Sequence, residues 1–315
     1  MTHRVLVTCG HLQRTIDRYR DFLQEHDIEV EMPLVEQQLS EDQLLEIIEE
    51  FDGVVAGDDQ FTERVLSRGQ RLRVVAKWGV GIDGIDLDAA KRFGIEVTNT
   101  PGAFGDEVAD VAMGYVVSLA RRLHEIDRAV RCGDWHQPPG RTLRGQTLGI
   151  VGLGCIGQAL GRRARAFGMR LAGCDPQPPP KQFLEESDVQ LLGLDELIPI
   201  ADFLVLCCSA NRDNVRLIDT DRLGRMKRGS FLVNVSRGSL VDEKALIEAL
   251  STGRLGGAAL DVFQHEPLAA NSPLRSFENC IFGSHNGSNT EQAVDRVNRR
   301  VLRQLVTGLQ KETSP

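Results

Sequence analysis

Short apolar runs alternate with longer polar stretches along most of the chain. The first hundred residues contain RVLVTC, FDGVVAG, LRVVAKW and IEVTN, and positions 147–285 contain TLGIVGLG, MRLAGCD, DFLVLCC, SFLVNVS, AALDVF and CIFGSH. These runs are nearly continuous and rich in branched residues, which is typical of strands buried on both faces of a parallel sheet. Because helix-like stretches such as residues 41–50 separate them, the pattern predicts βαβ units.

Two series of strands predict two α/β domains, each a doubly wound parallel sheet, with a cleft between them. The first junction is expected near residues 99–107, where Pro101 and Gly102 break the chain before a helix begins. Apolar residues between 293 and 309 recur at helical spacing, and we expect this last helix to return to the first domain. The predicted domains are therefore 1–101 with 289–315, and 102–288.

The composition favours a soluble protein of the cytoplasm. The chain has 315 residues, 41% of them hydrophobic, and a net charge of −8, which argues against non-specific nucleic-acid binding. We find neither a membrane-span pattern nor a signal-peptide pattern. None of the seven cysteines forms a C-x-x-C pair, so we expect reduced thiols and no metal site.

The strongest single motif is a glycine loop that follows the run TLGIV. Gly152, Gly154 and Gly157 have the spacing G-x-G-x-x-G and open a predicted helix. In such a loop the first glycine permits a tight turn, the second lets the backbone approach a pyrophosphate, and the third allows close packing of helix on strand. We therefore predict dinucleotide contacts along the loop, including Cys155 and Ile156.

An acidic residue follows the next predicted strand. Asp175 lies 175 − 152 = 23 residues after the first glycine. A carboxylate there accepts hydrogen bonds from ribose hydroxyls and repels a 2′-phosphate, which favours NAD over NADP. The alternative is a tight turn with an unrelated capping aspartate.

Three polar residues each follow a predicted strand further along the chain. Arg237 follows SFLVNVS, Glu266 follows AALDVF, and His285 follows CIFGS. Open α/β sheets bind ligands at the carboxyl ends of their strands, so together these residues predict a reaction centre. Each has an ordinary alternative as a surface charge, a turn residue or a solvated histidine.

Five segments in order resemble the NAD-dependent D-2-hydroxyacid dehydrogenases, particularly their phosphoglycerate dehydrogenase-like branch. They are KWGVGIDGIDLDAAKRFGIEVTNTPG, GLGCIGQALGRRARAFGM, MKRGSFLVNVSRGSLVDEKALIEAL, GAALDVFQHEPL and SHNGSNT. The resemblance implies a flavodoxin-like substrate domain, a Rossmann NAD-binding domain and a homodimer. It also implies interconversion of a small 2-ketoacid and its D-2-hydroxyacid.

The resemblance implies a role for each matching position. His285 would exchange a proton with the substrate, Glu266 would orient its ring, and Arg237 would bind the substrate carboxylate and keto oxygen. The amides of Val80 and Gly81 would also bind that carboxylate. The remaining cofactor contacts would come from Cys207, Val235, Asp261 and Ser288.

The substrate itself remains open at this stage. Phosphoglycerate, hydroxypyruvate and glyoxylate are the candidates, and Lys77 or Arg14 could serve a phosphorylated acid, although we expect Lys77 to be solvated or structural and Trp78 to be packed. A corepressor-like NAD(H)-sensing protein is the alternative function, and oxidation of formate or phosphite is less favoured.

Asn286 replaces an apolar residue of the family, and we expect it to cap the final helix rather than touch substrate. His265 is the alternative to His285 as the histidine that acts with Glu266, but the small residues that follow His285 are missing after His265.

Overall fold

The computed structural model describes residues 2–35 and 37–311. The described strands are β1 (His3–Val7), β2 (Ile28–Glu31), β3 (Gly53–Ala56), β4 (Val74–Lys77), β5 (Glu96–Thr98), β6 (Thr147–Val151), β7 (Arg170–Cys174), β8 (Gln190–Leu191), β9 (Phe203–Leu206), β10 (Ser230–Asn234), β11 (Leu255–Leu260) and β12 (Cys280–Phe282). The described α-helices are α1 (Gly10–Gln13), α2 (Arg20–Glu25), α3 (Glu41–Ile47), α4 (Glu63–Arg68), α5 (Leu87–Arg92), α6 (Gly105–Arg121), α7 (Leu123–Arg131), α8 (Cys155–Ala166), α9 (Lys181–Ser187), α10 (Leu194–Leu197), α11 (Thr220–Arg225), α12 (Glu243–Ser251) and α13 (Glu291–Gln310). Short 3-10 helices cover Ile16–Tyr19, Ile48–Glu50, Ile198–Ile200, Gly238–Leu240 and Pro273–Ser276.

Every strand predicted from an apolar run is present, which confirms the predicted α/β class. The structure adds two strands that the pattern missed, β2 and β8, and each lies at one of the two edges of its sheet. The helix predicted to begin after Pro101 and Gly102 is followed at once by a second helix. Arg122 separates α6 from α7 with a left-handed φ of 53°.

The first sheet has five strands in the order β2-β1-β3-β4-β5, and all its pairings are parallel. Every residue of β3 and β4 is buried. Helix α13 packs closely on these strands, because a Cβ added to Gly308 would lie 2.6 Å from a methyl of Val74. The last helix therefore packs on the first sheet, and its apolar spacing had predicted a helix.

The second sheet has seven strands in the order β12-β11-β10-β9-β6-β7-β8, again with parallel pairings. Within this sheet the chain first forms β6 and continues to one edge through β7 and β8. It then forms the other half of the sheet, from β9 to β12. This is a doubly wound sheet with a topological switch point between β6 and β9, where such folds bind ligands. All residues of β6, β9 and β10 are buried.

The chain divides into two compact units, residues up to 103 together with those from 290 onward, and residues 104–289. These limits differ by one or two residues from the predicted boundaries, whose outer ends at residues 1 and 312–315 lie outside the described residues. Among the described helices, none has the length and apolar character needed to cross a membrane.

Candidate active site

The glycine loop joins β6 to α8 at the switch point of the second sheet. Gly152 has a φ of 96°, and a Cβ on it would lie 2.6 Å from the backbone of Cys208. A Cβ on Gly157 would lie 2.0 Å from the carbonyl oxygen of Gly152. A Cβ on Gly154 would meet nothing within 4 Å. The first and third glycines are therefore required by the protein's own packing, whereas the second leaves open space above the loop.

This open space fits the pyrophosphate of a dinucleotide. Helix α8 begins directly after Gly154, and neither a side-chain cap nor an acidic residue occupies its first turn. The free amides and the positive end of the helix dipole favour an anion there. The chain's own geometry thus provides the cradle that a bound NAD needs.

Asp175 lies at the end of β7, beside the loop. Its carboxylate accepts the backbone N–H of Leu153 at 2.7 Å and that of Gln177 at 2.8 Å. These bonds fix the carboxylate against the glycine loop, at the position that the sequence predicts for ribose recognition.

The predicted cofactor residues all follow strands of the seven-stranded sheet. Gly152, Gly154, Cys155, Ile156 and Gly157 follow β6, Asp175 follows β7, Cys207 follows β9, Val235 follows β10, Asp261 follows β11 and Ser288 follows β12. Parallel strands share one carboxyl edge, so the fold collects these residues along that edge. Cys207 itself is held by its N–H, which donates to Val151 O at 2.8 Å.

Arg237 follows β10 in a tightly held loop. Its Nη1 donates to Ser236 O at 2.9 Å, and its own carbonyl accepts Asn234 Nδ2 at 2.8 Å. The next residue, Gly238, touches the loop after β11, because a Cβ there would lie 1.9 Å from the carbonyl carbon of Phe263. The backbone thus links Arg237 directly to the loop that carries Glu266.

Glu266 and His285 form a hydrogen-bonded pair. Glu266 Oε2 lies 2.8 Å from His285 Nδ1, and Glu266 Oε1 accepts Phe263 N–H at 2.9 Å. The two side chains are 18% and 24% exposed, so the pair is shielded but still accessible. Through this bond at Nδ1, Glu266 fixes the orientation of the His285 ring.

Asp261 supports the turn that carries His285. Its carbonyl accepts His285 N–H at 2.7 Å, and its carboxylate accepts Gly287 N–H at 2.8 Å. This turn places His285 in the left-handed region, at a φ of 55°. Non-glycine residues seldom adopt that conformation, and strained residues of this kind cluster at functional sites.

Sequence reasoning missed Tyr115 of α6. Its hydroxyl donates to Asp261 Oδ1 at 3.1 Å. Burial, and then the charge of Asp261, raise the pKa of Tyr115 well above its usual range, so the hydroxyl stays a donor. No motif marks this tyrosine, since it lies 146 residues before its partner.

The predicted substrate loop of the first unit follows β4. Asn99 Nδ2 donates to Val80 O at 2.6 Å, and Thr100 Oγ1 donates to Gly79 O at 3.0 Å. These bonds hold the loop by its carbonyls, and Val80 and Gly81 are half-buried.

Lys77 and Trp78 are both buried. Lys77 Nζ pairs with Asp58 Oδ1 at 3.0 Å and donates to Trp78 O at 2.9 Å. Trp78 Nε1 donates to Asn298 Oδ1 at 2.7 Å. Lys77 is therefore structural rather than solvated, and the expectation that Trp78 is packed is confirmed.

The expectation that Asn286 caps the final helix is wrong. Thr290 caps α13, because its side chain accepts Ala293 N–H at 3.1 Å. Asn286 Oδ1 instead accepts Asn289 Nδ2 at 2.7 Å. His265, the rival of His285, is exposed.

Comparison with known proteins identifies the family. Residues 113–287 match the model of the D-isomer specific 2-hydroxyacid dehydrogenase NAD binding domain. The chain belongs to this family.

Individual relatives that align with most of this chain support the family assignment. A D-3-phosphoglycerate dehydrogenase of Methanocaldococcus jannaschii is 38% identical over 278 residues, which are 87% of this chain but only 53% of that one. A glyoxylate reductase of Korarchaeum cryptofilum is 35% identical over 100% of this chain and 95% of its own. The D-lactate dehydrogenase from Aquifex aeolicus, solved in complex with NAD and lactic acid, has a TM-score of 0.86 at 25% identity, with 96% of this chain and 93% of that chain covered.

As a D-2-hydroxyacid dehydrogenase, the protein is an NAD-dependent oxidoreductase that acts on a small hydroxy or keto acid. The glycine cradle at Gly154 agrees with this cofactor.

Proposed function

We propose that the protein reduces a small, unphosphorylated 2-ketoacid of the glyoxylate or hydroxypyruvate type to its D-2-hydroxyacid. The observation that carries the proposal is the pair of Glu266 and His285, 2.8 Å apart at the carboxyl edge of the NAD-binding sheet. The full-length similarity to a glyoxylate reductase supports this substrate class.

In this proposal His285 is the proton donor. Glu266 holds Nδ1 and so orients the ring, and Nε2 would give its proton to the oxygen at C2 as the keto group is reduced. Glu266 also stabilises the charged imidazole before transfer. When bound, NADH supplies the hydride. In the reverse direction the same nitrogen would accept the proton.

Arg237 would bind the substrate carboxylate and the keto oxygen. A planar guanidinium matches a carboxylate with two parallel hydrogen bonds and stabilises negative charge that develops on the neighbouring oxygen. The backbone amides of Val80 and Gly81 would complete carboxylate binding. Asp261, Val235 and Ser288 would position the nicotinamide half of the cofactor, and Asp175 and Cys207 its adenosine half.

The state of Lys77 supports an unphosphorylated substrate. Its ammonium is only 7% exposed and is already paired with Asp58, so its charge is compensated within the protein. Exposed Arg14 contacts His11 at 3.1 Å, and it is the residue that would serve a phosphorylated acid if this proposal is wrong.

A substrate panel tests the proposal. Loss of NADH absorbance would be followed with glyoxylate, hydroxypyruvate, pyruvate and 3-phosphohydroxypyruvate, and then with NADPH in place of NADH. We expect kcat/KM for glyoxylate or hydroxypyruvate to exceed that for the phosphorylated acid by about tenfold or more, since a phosphate lacks a compensating cation (~1.4 kcal/mol per factor of ten). A preference for the phosphorylated acid that is lost in Arg14→Gln would contradict the proposal. Binding of NADH without turnover of any acid would favour the corepressor-like alternative.

We further propose that the protein is a cytoplasmic homodimer. Exposed apolar side chains follow one another on α7 and the loop after it, namely Leu123, Val130 and Trp135. Exposed apolar side chains that are grouped on one surface are typical of protein–protein interfaces. The free cysteines of the described chain support a reducing compartment.

A further inference from the structure

Two successive carbonyl groups of the loop after β4 are held by the segment that follows β5. The carbonyl of Gly79 accepts two hydrogen bonds from Thr100, one from its N–H at 2.9 Å and one from its Oγ1 at 3.0 Å. The carbonyl of Val80 accepts Asn99 Nδ2 at 2.6 Å. Both carbonyls therefore point toward residues 99–100.

The direction of these carbonyls determines the direction of the next two amides. In a planar trans peptide the C=O group and the N–H of the following residue point in opposite directions. The N–H groups of Val80 and Gly81 therefore both point away from Asn99 and Thr100. Neither amide donates a hydrogen bond to any part of the described chain, and both residues are only half-buried. Neighbouring amides that face the same side form an anion-binding concavity.

The start of the loop is fixed separately by Lys77. Its Nζ donates to Trp78 O at 2.9 Å and pairs with Asp58 Oδ1 at 3.0 Å. A Cβ added to Gly79 would lie 3.2 Å from this Nζ, so the ammonium group lies directly beside the loop. A change at residue 99 or 100 should therefore act on the two amides and not on the path of β4.

The segment that carries the two donors is itself anchored. Thr100 is fully buried. The carbonyl of Asn99 accepts Gln304 Nε2 of α13 at 2.9 Å. Donors that are held in this way fix the direction of the groups they bind.

We propose that Asn99 and Thr100 are positioning residues, which orient the amides of Val80 and Gly81 toward the substrate carboxylate. This inference rests on the proposed function, because it concerns the same substrate site. The carboxylate is present in the ketoacid and in the transition state alike. Loss of its orientation should therefore raise KM more than it lowers kcat.

Steady-state kinetics with glyoxylate or hydroxypyruvate at saturating NADH test the proposal. Asn99→Ala should raise KM about tenfold or more, because misplaced amides lose the carboxylate, and it should leave kcat and the Kd of NADH within about threefold. Thr100→Val should raise KM less, since the N–H of residue 100 still binds Gly79 O. Thr100→Ser keeps the hydroxyl group and should restore a KM close to that of the wild type.

A matched control separates orientation of the loop from general stability. Gln13 Nε2 also holds two carbonyls of the first unit, those of Val7 at 2.7 Å and Pro33 at 3.0 Å. Gln13→Ala should lower the melting temperature and leave KM unchanged. A rise in KM as large as that of Asn99→Ala would overturn the proposal, as would an unchanged KM in Asn99→Ala. If Asn99→Ala does not fold, equal KM values for Thr100→Val and Thr100→Ser overturn it.

Binding of oxamate, a 2-ketoacid analogue that is not reduced, separates this proposal from the proposed function. Calorimetric titration of the NADH complex should show binding that Asn99→Ala weakens about tenfold or more. Such binding without turnover of any acid would refute the proposed function alone. Turnover and oxamate binding that do not depend on Asn99 would refute this proposal alone, and a wild type that shows neither would refute both.

Discussion

At the scale of single residues, two carboxylates after β11 have different tasks. Glu266 contacts the ring of His285, whereas Asp261 binds the backbone of the turn beneath that ring. The proposed mechanism therefore assigns proton transfer to Glu266 with His285, and cofactor placement to Asp261 with Tyr115. Substitutions should separate these two effects.

Glu266→Gln is expected to lower kcat about 100-fold or more, within the range of general acid–base contributions, ~10²–10⁴-fold. A glutamine amide that donates to Nδ1 would hold the wrong tautomer and could not stabilise a charged ring. Turnover is measured at saturating substrate, and NADH binding by fluorescence titration, which should change little. Glu278→Gln, an exposed glutamate before β12, is the control. A kcat within twofold of the wild type would contradict the role of Glu266.

Tyr115→Phe is expected to weaken NADH binding several-fold and to lower the free energy of unfolding by about 1–3 kcal/mol, because a buried carboxylate loses a donor. Tyr19→Phe is a matched control, since its hydroxyl donates to Asp295 Oδ1 at 3.0 Å in the first unit. That control should leave the Kd of NADH unchanged. Equal effects of the two variants on NADH binding would show that Tyr115 acts only on general stability.

The sequence predicts the polar residues of the site better than their supports. Glu266 and His285 stand out because each follows an apolar strand within a few residues, and adjacent parallel strands end at one edge. Tyr115 lies in the middle of a helix, where an aromatic residue is indistinguishable from core packing. Asn286 was wrongly predicted to cap the final helix, because spacing alone does not show that the side chain of Thr290 accepts a backbone N–H of the first turn of α13.

At the scale of elements, different glycines of the loop between β6 and α8 serve packing and ligand binding. Gly154→Ala should fold with an unchanged melting temperature, because its Cβ would meet no protein atom, but it should weaken NADH binding about tenfold or more. Gly157→Ala should lower the melting temperature, because its Cβ would collide with the carbonyl of Gly152. Thermal unfolding and NADH titration measure both effects. Normal NADH binding by Gly154→Ala would contradict placement of the pyrophosphate over this loop.

The apolar runs predicted the interior strands, which are buried on both faces, and also the edge strands β5 and β12. The edge strands β2 and β8 gave no such run, since their exposed residues alternate with or replace buried ones. The break between α6 and α7 was also invisible, because Arg122 adopts a left-handed conformation without a glycine or proline to mark it.

At the scale of the whole molecule, the proposed dimer surface can be tested by charge insertion. L123E/V130E should convert a dimer into a monomer, because two buried carboxylates would face an apolar interface. Sedimentation velocity measures the change. Leu34→Glu, at a residue that is 93% exposed in the first unit, is the control and should remain dimeric. A wild-type monomer at micromolar concentration would contradict the proposal.

The division into two parallel-sheet units followed from the two series of apolar runs. The helical spacing of Val297, Val301 and Leu305 predicted that the final helix is amphipathic.

The central claim is that His285 transfers the proton while the rest of the sheet edge holds NADH. The most direct measurement compares His285→Ala with the wild type in two assays, kcat with glyoxylate or hydroxypyruvate and the Kd of NADH. We predict that kcat falls about 100-fold or more, while Kd changes less than about threefold. Turnover equal to the wild type, or loss of NADH binding in parallel with turnover, would contradict the account.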